Sequence, residues 1–274
     1  MPGTLYVVAT PIGNLEDITQ RALRALREAD RIACEDTRQT RKLLNHYGVT
    51  TRAVSYHEHN ERARAAELVE KLEAGLTVAL VSDAGTPLIA DPGYRIVREA
   101  RDRGIAVVPV PGASAIVTAL CASGLPTDSF YFLGFLPVKA AARRRALEAV
   151  AQIESTLVFY EAPHRIVETL DDVTQALGAR PISIARELTK AHEEFLAGTA
   201  VELSAELASR PAIKGEFTVM IGKAEKPQPA SEMAIEDEMA ALVASGMPRM
   251  EAMKTIARRH GMSKRDVYRR LEND

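Results

Sequence analysis

Residues 80–93 read LVSDAGTPLIADPG and join an apolar run directly to a polar turn. The run that precedes Asp83, TVALVS at 77–82, has the length and composition of a buried strand. Gly and Pro then turn the chain. In open α/β sheets, ligands bind outside the carboxyl ends of the strands. The stretch therefore predicts a sheet strand that is anchored in the core and ends in a ligand-binding elbow.

Strands and helices alternate on both sides of this stretch. Alternation requires crossover connections, so residues 1–124 are expected to form an N-terminal α/β domain with a mostly parallel sheet. Residues 125–224 repeat the alternation as a C-terminal α/β domain with a mixed sheet, and residues 225–274 supply a linker and a small helical extension. The predicted strands are 5–9, 31–34, 77–82, 106–110, 131–136, 156–160, 182–186, 193–199 and 215–222. The predicted helices are 19–29, 38–48, 62–75, 94–103, 114–123, 139–152, 163–177, 201–208, 233–245, 249–259 and 263–271.

The composition is that of a soluble globular protein and not of one that coats nucleic acid non-specifically. The 274 residues carry a net charge of −2, with 26% charged and 46% apolar side chains. This is a soluble globular balance, and any contact with a polyanion must come from local basic patches. Cys34 and Cys121 lack CxxC spacing and sit in apolar runs, which favours buried free thiols in a reducing compartment. With no apolar leader and no membrane span, we expect a cytoplasmic protein without a membrane partner.

Three polar elbows follow predicted strands of the first domain: ATPIGNLED (9–17), SDAGTPLIADPG (82–93) and PVPGASA (109–115). Any one of them alone could be ordinary turn chemistry. Three at the same end of one sheet favour a ligand site. None matches GxxxxGK[ST], GxGxxG or GxSxG, so polyphosphate, nicotinamide and serine-hydrolase sites are unsupported. A nucleoside-like cofactor held by backbone groups and one carboxylate fits better.

Five stretches in order, LYVVATPIGNLEDIT, CEDTR, LVSDAGTPLIADPG, PVPGASA and YEAPHR, resemble the family of bacterial ribosomal RNA small-subunit methyltransferases I. That family belongs to the tetrapyrrole methylase-like group. The resemblance covers residues 4–222 and implies a two-domain class III methyltransferase fold, a homodimer, and S-adenosylmethionine in the cleft between the domains. It also implies 2′-O-methylation of a cytidine in the decoding region of 16S rRNA within the small ribosomal subunit.

The resemblance also transfers cofactor contacts to matching positions. The Asp83 elbow stands where tetrapyrrole methylases carry a Gly-Asp-Pro motif, although here Ala-Gly-Thr-Pro follows the Asp. The implied cofactor-binding residues are Pro11, Gly13, Ser82, Asp83, Gly85, Thr86, Pro87, Gly112, Ser114, Ala115, Tyr160, Glu161 and Ala162.

Candidates for catalysis and RNA contact come from charged side chains near strand ends. In ARELTKAHEE (185–194), Glu187 could accept the hydroxyl proton and Lys190 could hold a phosphate. The alternative is a solvated hairpin. The predicted RNA-binding residues are Arg38, Arg41, Arg143, Arg144, Arg165, Arg186, Lys214 and Arg269. For each basic cluster the alternative is an ordinary solvated face.

More than one interpretation stays open for the C-terminal tail, for the segment YHEHNE at 56–61 and for the overall function. EAMKTIARRHGMSKRDVYRRLE (251–272) has a helix-turn-helix pattern, which favours an RNA-docking module or a helical appendage that packs on the dimer. The HxH spacing of His57 and His59 is a weak metal signal, and we expect a surface loop and no metal. Besides an RNA methyltransferase, the sequence allows a small-molecule methylase on the same fold or a non-catalytic ribosome-assembly factor.

Overall fold

The computed structural model describes residues 2–224, 235–259 and 262–272. The chain divides into two compact units, Met1–Ala224 and Glu225–Asp274. The first unit is an α/β body with two sheets, and the second is helical. The linker predicted at the start of residues 225–274 lies outside the described residues.

The first sheet has five parallel strands in the order β3-β2-β4-β1-β5. Strands β1 and β4 lie inside the sheet, and helices cover both of its faces. Strands that are buried on both faces are apolar, as these two are. The predicted parallel sheet is therefore confirmed. Its strands are β1 (Thr4–Val8), β2 (Arg31–Cys34), β3 (Ala53–Ser55), β4 (Val78–Leu80) and β5 (Ala106–Val110).

Helices connect these strands, and their starts follow from local sequence. Thr19 accepts a hydrogen bond from the N–H of Ala22, and Asp36 accepts one from the N–H of Arg38, so both residues act as N-caps. A short 3-10 helix, Leu15–Asp17, follows β1. The helices are α1 (Gln20–Glu28), α2 (Thr37–His46), α3 (Glu61–Glu73), α4 (Tyr94–Asp102) and α5 (Ala115–Ala122).

The second sheet is mixed, as predicted, with the order β6-β7-β10-β8-β9. β6 pairs with β7 in parallel, and the other neighbours are antiparallel. Its strands are β6 (Phe130–Phe135), β7 (Thr156–Glu161), β8 (Ile182–Arg186), β9 (Glu194–Gly198) and β10 (Phe217–Ile221). The accompanying helices are α6 (Ala140–Ala149), α7 (Ile166–Leu177) and α8 (Ala200–Ala208).

Helix α5 joins the two sheets within the α/β body. Ile116 and Leu120 of this helix pack in one buried cluster with Val158 and Met220 of the second sheet. The elbow that opens α5 follows β5 of the first sheet. α5 therefore brings the carboxyl ends of the first sheet's strands close to the second sheet.

The second unit is a three-helix arrangement with its own core. Ile235, Met239, Ile256 and Val267 are buried together. The helices are α9 (Ile235–Ala244), α10 (Arg249–Arg259) and α11 (Lys264–Glu272), close to the three predicted helical segments. Among the described residues, no helix has both the length and the hydrophobicity to span a bilayer.

Two expectations fail at the level of the fold. Cys34 is buried as expected, but Cys121 is exposed because it lies on the open side of α5. Strand β3 was missed, because its three residues form a short edge strand in a stretch with little apolar content.

Candidate functional site

The three predicted elbows meet and hydrogen-bond to one another. The N–H of Thr10 donates to the carbonyl of Gly85 over 2.8 Å, and the N–H of Gly85 donates back over 3.0 Å. The Thr86 hydroxyl donates to the carbonyl of Ala113 over 3.2 Å. The elbows after β1, β4 and β5 therefore form one continuous floor, as expected from neighbouring parallel strands.

Glycine allows this close approach at two positions. A Cβ on Gly112 would lie 2.9 Å from the Cβ of Ala9, closer than van der Waals contact permits. Gly85 has a φ of +80°, in the left-handed region that glycine favours. The packing of the elbows thus depends on two residues without side chains.

A cavity of about 420 Å³, here called the strand-end cavity, lies between these elbows and the second sheet. Both sheets contribute walls: the elbows come from the first, while Phe135, Tyr160 and Thr218 come from the second. The rings of Phe135 and Tyr160 are 5.5 Å apart and tilted. The volume suits a small organic ligand.

The strand-end cavity is acidic. Asp83 and Asp91 both line it. Burial and the negative charges of Glu35 and Asp83 raise the pKa of Asp91 to about 6, although Ser82 opposes the shift by hydrogen bonding. At neutral pH Asp91 is therefore mainly ionised, although burial and the neighbouring negative charges disfavour its charged form. A cationic ligand would offset this unfavourable free energy.

The segment that carries Asp91 into the cavity has an unusual backbone. Leu88 and Ala90 have φ values of 72° and 64°, which residues with a Cβ rarely adopt. Such conformations persist where the surrounding structure holds them, and they cluster at functional sites.

A second cavity of about 590 Å³, here called the α2 cavity, adjoins the first. One side is the elbow after β1, and another is α2, which contributes Gln39, Thr40, Lys42 and Leu43. Both cavities share a wall. The shared residues are Ile12, Asp83, Ala84 and Glu216.

Lys190 reaches the α2 cavity from the second sheet. Its Nζ donates to Glu187 Oε1 over 2.8 Å and to Glu216 Oε2 over 3.1 Å. The Thr189 hydroxyl accepts a hydrogen bond from the N–H of Asn14 over 3.0 Å, which ties this loop to the elbow after β1. Glu187 and Thr189 have φ values of 53° and 63°. The loop is thus held in a strained conformation.

The two predicted catalytic residues differ in position. Lys190 lines the α2 cavity, whereas Glu187 is absent from the described walls of both cavities. The hydrogen bond from Lys190 lowers the pKa of Glu187. Although burial opposes it, the hydrogen bonds to Glu187 and Glu216 raise the pKa of Lys190. Glu187 is therefore a weak proton acceptor here, and Lys190 is a stable cation.

Eleven of the predicted cofactor residues lie on a cavity wall. Ser114 occupies the N-cap position of α5, yet its side chain makes no capping bond to a described residue. Pro87 and Gly112 lie on neither described wall. The strand-end cavity is lined by Asp83, Gly85, Thr86, Ser114, Ala115, Tyr160, Glu161 and Ala162. The α2 cavity is lined by Pro11, Gly13, Ser82 and Asp83.

Glu161 is largely engaged within the protein. It accepts hydrogen bonds from the Thr169 hydroxyl over 2.7 Å and from the N–H of Ala162 over 2.8 Å. It also pairs with Arg165 over 3.3 Å. This carboxylate therefore shapes the end of β7, and its neighbours Tyr160 and Ala162 present more free surface to the cavity.

One predicted RNA contact is wrong. The Arg143 side chain is only 2% exposed and its Nε donates to Asp172 over 2.6 Å, so it cannot reach RNA. Asp172 also accepts from Arg144 over 2.8 Å. The basic run on α6 therefore serves in part to hold α6 against α7.

Arg144 is half-buried, with a side chain 38% exposed and bonded to Asp172, and the other six predicted RNA residues fall into two groups. Arg165 and Arg186 are mostly covered, with side chains 13% and 19% exposed, and both donate to backbone carbonyls. A second group is open to solvent. Its members are Arg38, Arg41, Lys214 and, in the helical unit, Arg269.

Several lining residues were not predicted. Asp91 lies in the quoted elbow, and its acidic side chain in a Pro- and Gly-rich turn is a signal that could have identified it. Glu216 precedes β10, and Gln39 and Thr40 lie within α2, where sequence gives no sign that they face a cavity. Side chains that meet only through tertiary packing leave no local pattern.

The HxH segment forms a hydrogen-bonded loop, as expected. Asn60 Oδ1 accepts from the N–H of His57 over 2.9 Å, and Tyr56 donates to Glu61 over 3.1 Å. Within the described part of the chain, no group of three or more His, Cys, Asp or Glu side chains could hold a metal ion.

Comparison with known proteins gives consistent matches. The family model of Tetrapyrrole (Corrin/Porphyrin) Methylases matches residues 4–204. A "Ribosomal RNA small subunit methyltransferase I" from Halalkalibacterium halodurans is 53% identical, over 97% of this chain and 93% of the relative. One of the same name from Mesorhizobium japonicum is 50% identical, over 97% and 90%.

The fold is similar to that of solved methyltransferases. Uroporphyrin-III C-methyltransferase from Thermus thermophilus, complexed with S-adenosyl homocysteine, aligns with a TM-score of 0.55 and 20% identity. The alignment covers 81% of this chain and 98% of that one. At this identity the likeness concerns the fold alone.

Proposed function

The chain belongs to the family of Tetrapyrrole (Corrin/Porphyrin) Methylases, and from this membership we propose that it is an S-adenosylmethionine-dependent methyltransferase of ribosomal RNA. Its acceptor is the 2′-hydroxyl of a cytidine in the decoding region of 16S rRNA. The observation that carries the proposal is the pair of adjoining cavities at the strand ends, in a chain about half identical to relatives named for this class of enzyme.

The strand-end cavity suits the cofactor in size and charge. Apolar side chains such as Ile12 and Phe135 can cover an adenosine, while Asp83 and Asp91 complement a positively charged group. We assign cofactor binding to its lining residues Asp83, Gly85, Thr86, Ser114, Ala115, Tyr160 and Ala162. When bound, the cofactor would supply a methyl group on a cationic sulfur. Transfer of this methyl to the acceptor oxygen would form the O–C bond, break the C–S bond and leave the sulfur as a neutral thioether.

The protein's main task is then alignment and proton removal. Holding two reactants in line accounts for much of the acceleration in such transfers. Asp83 and Glu216 lie on the wall shared by both cavities. Glu216 accepts a hydrogen bond from Lys190, as Glu187 does, so we assign proton acceptance to Asp83. Lys190 acts as a positioned cation, and Glu187 orients it through their hydrogen bond. This assignment replaces Glu187 as the proton acceptor.

RNA contact falls to the exposed cations. Arg38 has a side chain 88% exposed at the start of α2, next to the α2 cavity, and Arg41 lies one turn further along. Lys214 precedes β10, close in sequence to Glu216. These cations would neutralise phosphates around the cavity mouth.

A homodimer is part of the proposal, as the family resemblance implies. Phe130 and Tyr131 on the edge strand β6 and Val117 on α5 are exposed apolar side chains that a second copy would cover. Sedimentation equilibrium at micromolar concentration tests this part, and a monomer at that concentration would contradict it.

Transfer of a labelled methyl group from S-adenosylmethionine to unmodified small ribosomal subunits tests the function. Nuclease digestion and mass spectrometry then locate the label. We expect 2′-O-methylcytidine in the decoding region. Label in another nucleotide would correct the target, and a protein that binds the cofactor but labels no RNA would overturn the RNA assignment.

A further inference from the structure

We propose that the α2 cavity receives a single acceptor nucleotide that has left its base stack, with the base against α2 and the ribose at the shared wall. The inference rests on the proposed function, since it names where the RNA acceptor of that reaction sits. The methyl donor would occupy the strand-end cavity on the other side of the wall.

The shared wall places the two ligands in reach of each other. Ile12, Asp83, Ala84 and Glu216 border both cavities. A ribose oxygen and a methyl carbon must approach to about 3 to 3.5 Å for transfer. Two adjoining compartments with a common border would let the two ligands meet at these four residues.

The size of the α2 cavity favours one nucleotide over a stacked helix. Its volume of about 590 Å³ lies in the range of small-ligand sites. Enzymes that act on a base within a paired strand commonly turn the nucleotide out into such a pocket, and we extend this to a ribose acceptor. A volume of this size holds one nucleotide and not a helix, so a nucleotide inside it is one that has left the stack.

Helix α2 presents polar groups that suit a base. Thr40 is 4% exposed, and its hydroxyl has no hydrogen-bond partner among the described residues, although the Cys34 thiol lies beside it as a weakly hydrogen-bonding group. A buried hydroxyl without an oxygen or nitrogen partner destabilises the protein, and a ligand that bonds to it would relieve this. The Gln39 amide, on the same wall, can donate and accept.

Positive charge lies where the phosphates of an extruded nucleotide would pass. Lys42 and Lys190 both line the cavity, from α2 and from the loop after β8, and Lys190 is paired there with Glu216. Lys42 Nζ donates to Gln39 Oε1 over 3.0 Å, which joins this cation to the proposed base contact. The cavity thus combines polar groups that can hydrogen-bond to a base with cations that can bind phosphates.

Thr40→Val and Gln39→Ala test the proposal. Thr40→Val is nearly isosteric and removes a hydroxyl that has only the Cys34 thiol beside it, so its melting temperature should stay close to that of the unchanged protein. Gln20→Ala, a surface glutamine at the start of α1 outside both cavities, is the matched control for Gln39→Ala. The assays are S-adenosylmethionine affinity by calorimetry and the kinetics of methyl transfer to unmodified small ribosomal subunits.

We expect both α2 variants to keep cofactor affinity within about twofold and to lose about fivefold in kcat/KM for the subunits, the equivalent of one hydrogen bond. Gln20→Ala should match the unchanged protein. If both α2 variants methylate subunits at the normal rate, the acceptor lies elsewhere and the inference is overturned. If the unchanged protein labels no RNA, the proposed function fails first, which distinguishes the two failures.

Discussion

The Asp83 carboxylate accepts a hydrogen bond from the backbone N–H of Asp36 over 3.1 Å. Asp36 is the N-cap of α2, and Asp83 lies on the wall between the two cavities. One side chain in the elbow after β4 therefore fixes the start of the helix that lines the neighbouring cavity. Changes at Asp83 should affect both compartments.

Asp83→Ala and Asp83→Asn separate charge from the hydrogen bond. Asn keeps an oxygen for the Asp36 N–H, whereas Ala removes both the oxygen and the charge. We expect both to weaken S-adenosylmethionine binding by about tenfold or more, because each removes an anion facing a cationic ligand. Only Ala should also raise KM for RNA, through loss of the α2 anchor. Calorimetry showing normal cofactor affinity for Asp83→Ala would refute this assignment, and Asp102→Ala, at an exposed carboxylate on the last residue of α4, is the control.

Asp91→Asn should change how stability depends on pH. The pKa of Asp91 in the folded protein, about 6, lies above its ordinary value of 3.8, so its penalty on folding grows as pH rises between these values and is complete above them. We expect the variant to gain about 1 kcal/mol of unfolding free energy at pH 8, after allowance for solvent screening, and little at pH 4. Urea titration at both pH values provides the measurement, and equal gains at both would contradict it.

Ionisation of Asp91, which lowers the stability of the protein, should strengthen cofactor binding. Deprotonation of Asp91 adds a negative charge, so S-adenosylmethionine should bind more tightly as pH rises through about 6. S-adenosylhomocysteine, which lacks the sulfonium charge, should respond less. Calorimetry with both ligands from pH 5 to 8 tests this, and an unchanged pH profile in Asp91→Asn would count against Asp91 as the responsible group.

Gly13→Ala should displace the loop after β8. A Cβ at this position would lie 2.5 Å from Lys190 Cγ and 2.9 Å from the Leu188 carbonyl oxygen. Because the backbone oxygen cannot easily move, we expect a loss of about 1–3 kcal/mol in stability and a reduced kcat. Gly104→Ala is a useful comparison, since its φ of +70° adds backbone strain but its Cβ meets open space. Equal kcat in the two variants would show that the loop tolerates the displacement.

Arg143→Ala and Arg41→Ala should separate a structural arginine from a surface one. Removing Arg143 leaves Asp172 buried with only Arg144 as its close partner, so we expect a loss of about 3–5 kcal/mol in unfolding free energy. Arg41 is exposed, and its removal should leave the melting temperature unchanged while the salt dependence of subunit binding becomes weaker. Similar melting temperatures for the two variants would contradict the distinction.

The sequence predicted the elbows well because each depends on local chemistry. A strand followed by Gly, Pro and a short polar side chain is visible within ten residues, and the Asp83 elbow was found in this way. Asp91 was missed because the chain returns to the cavity through left-handed conformations at Leu88 and Ala90. Leu and Ala rarely adopt these conformations, so the sequence does not predict them. Local pattern cannot reveal a turn that tertiary contacts impose.

Charge is harder to read than polarity. Arg143 and Arg144 stand in one basic run, yet the first is buried because Asp172, on another helix, is its partner. Helical spacing gave no warning of this partner, 29 positions away. Thr40 likewise sits in a helix that reads as amphipathic, and only the packing of α2 beside the first elbow shows which cavity it faces.

The bonds among Thr10, Gly85, Thr86 and Ala113 also bear on how this enzyme can be recombined with its relatives. A chimaera whose crossover falls between residues 10 and 113 would combine elbows from two parents that were never selected to fit each other. A crossover after α5 would exchange the second sheet and leave the three elbows intact. Libraries built on the second design should contain the larger share of folded, cofactor-binding members.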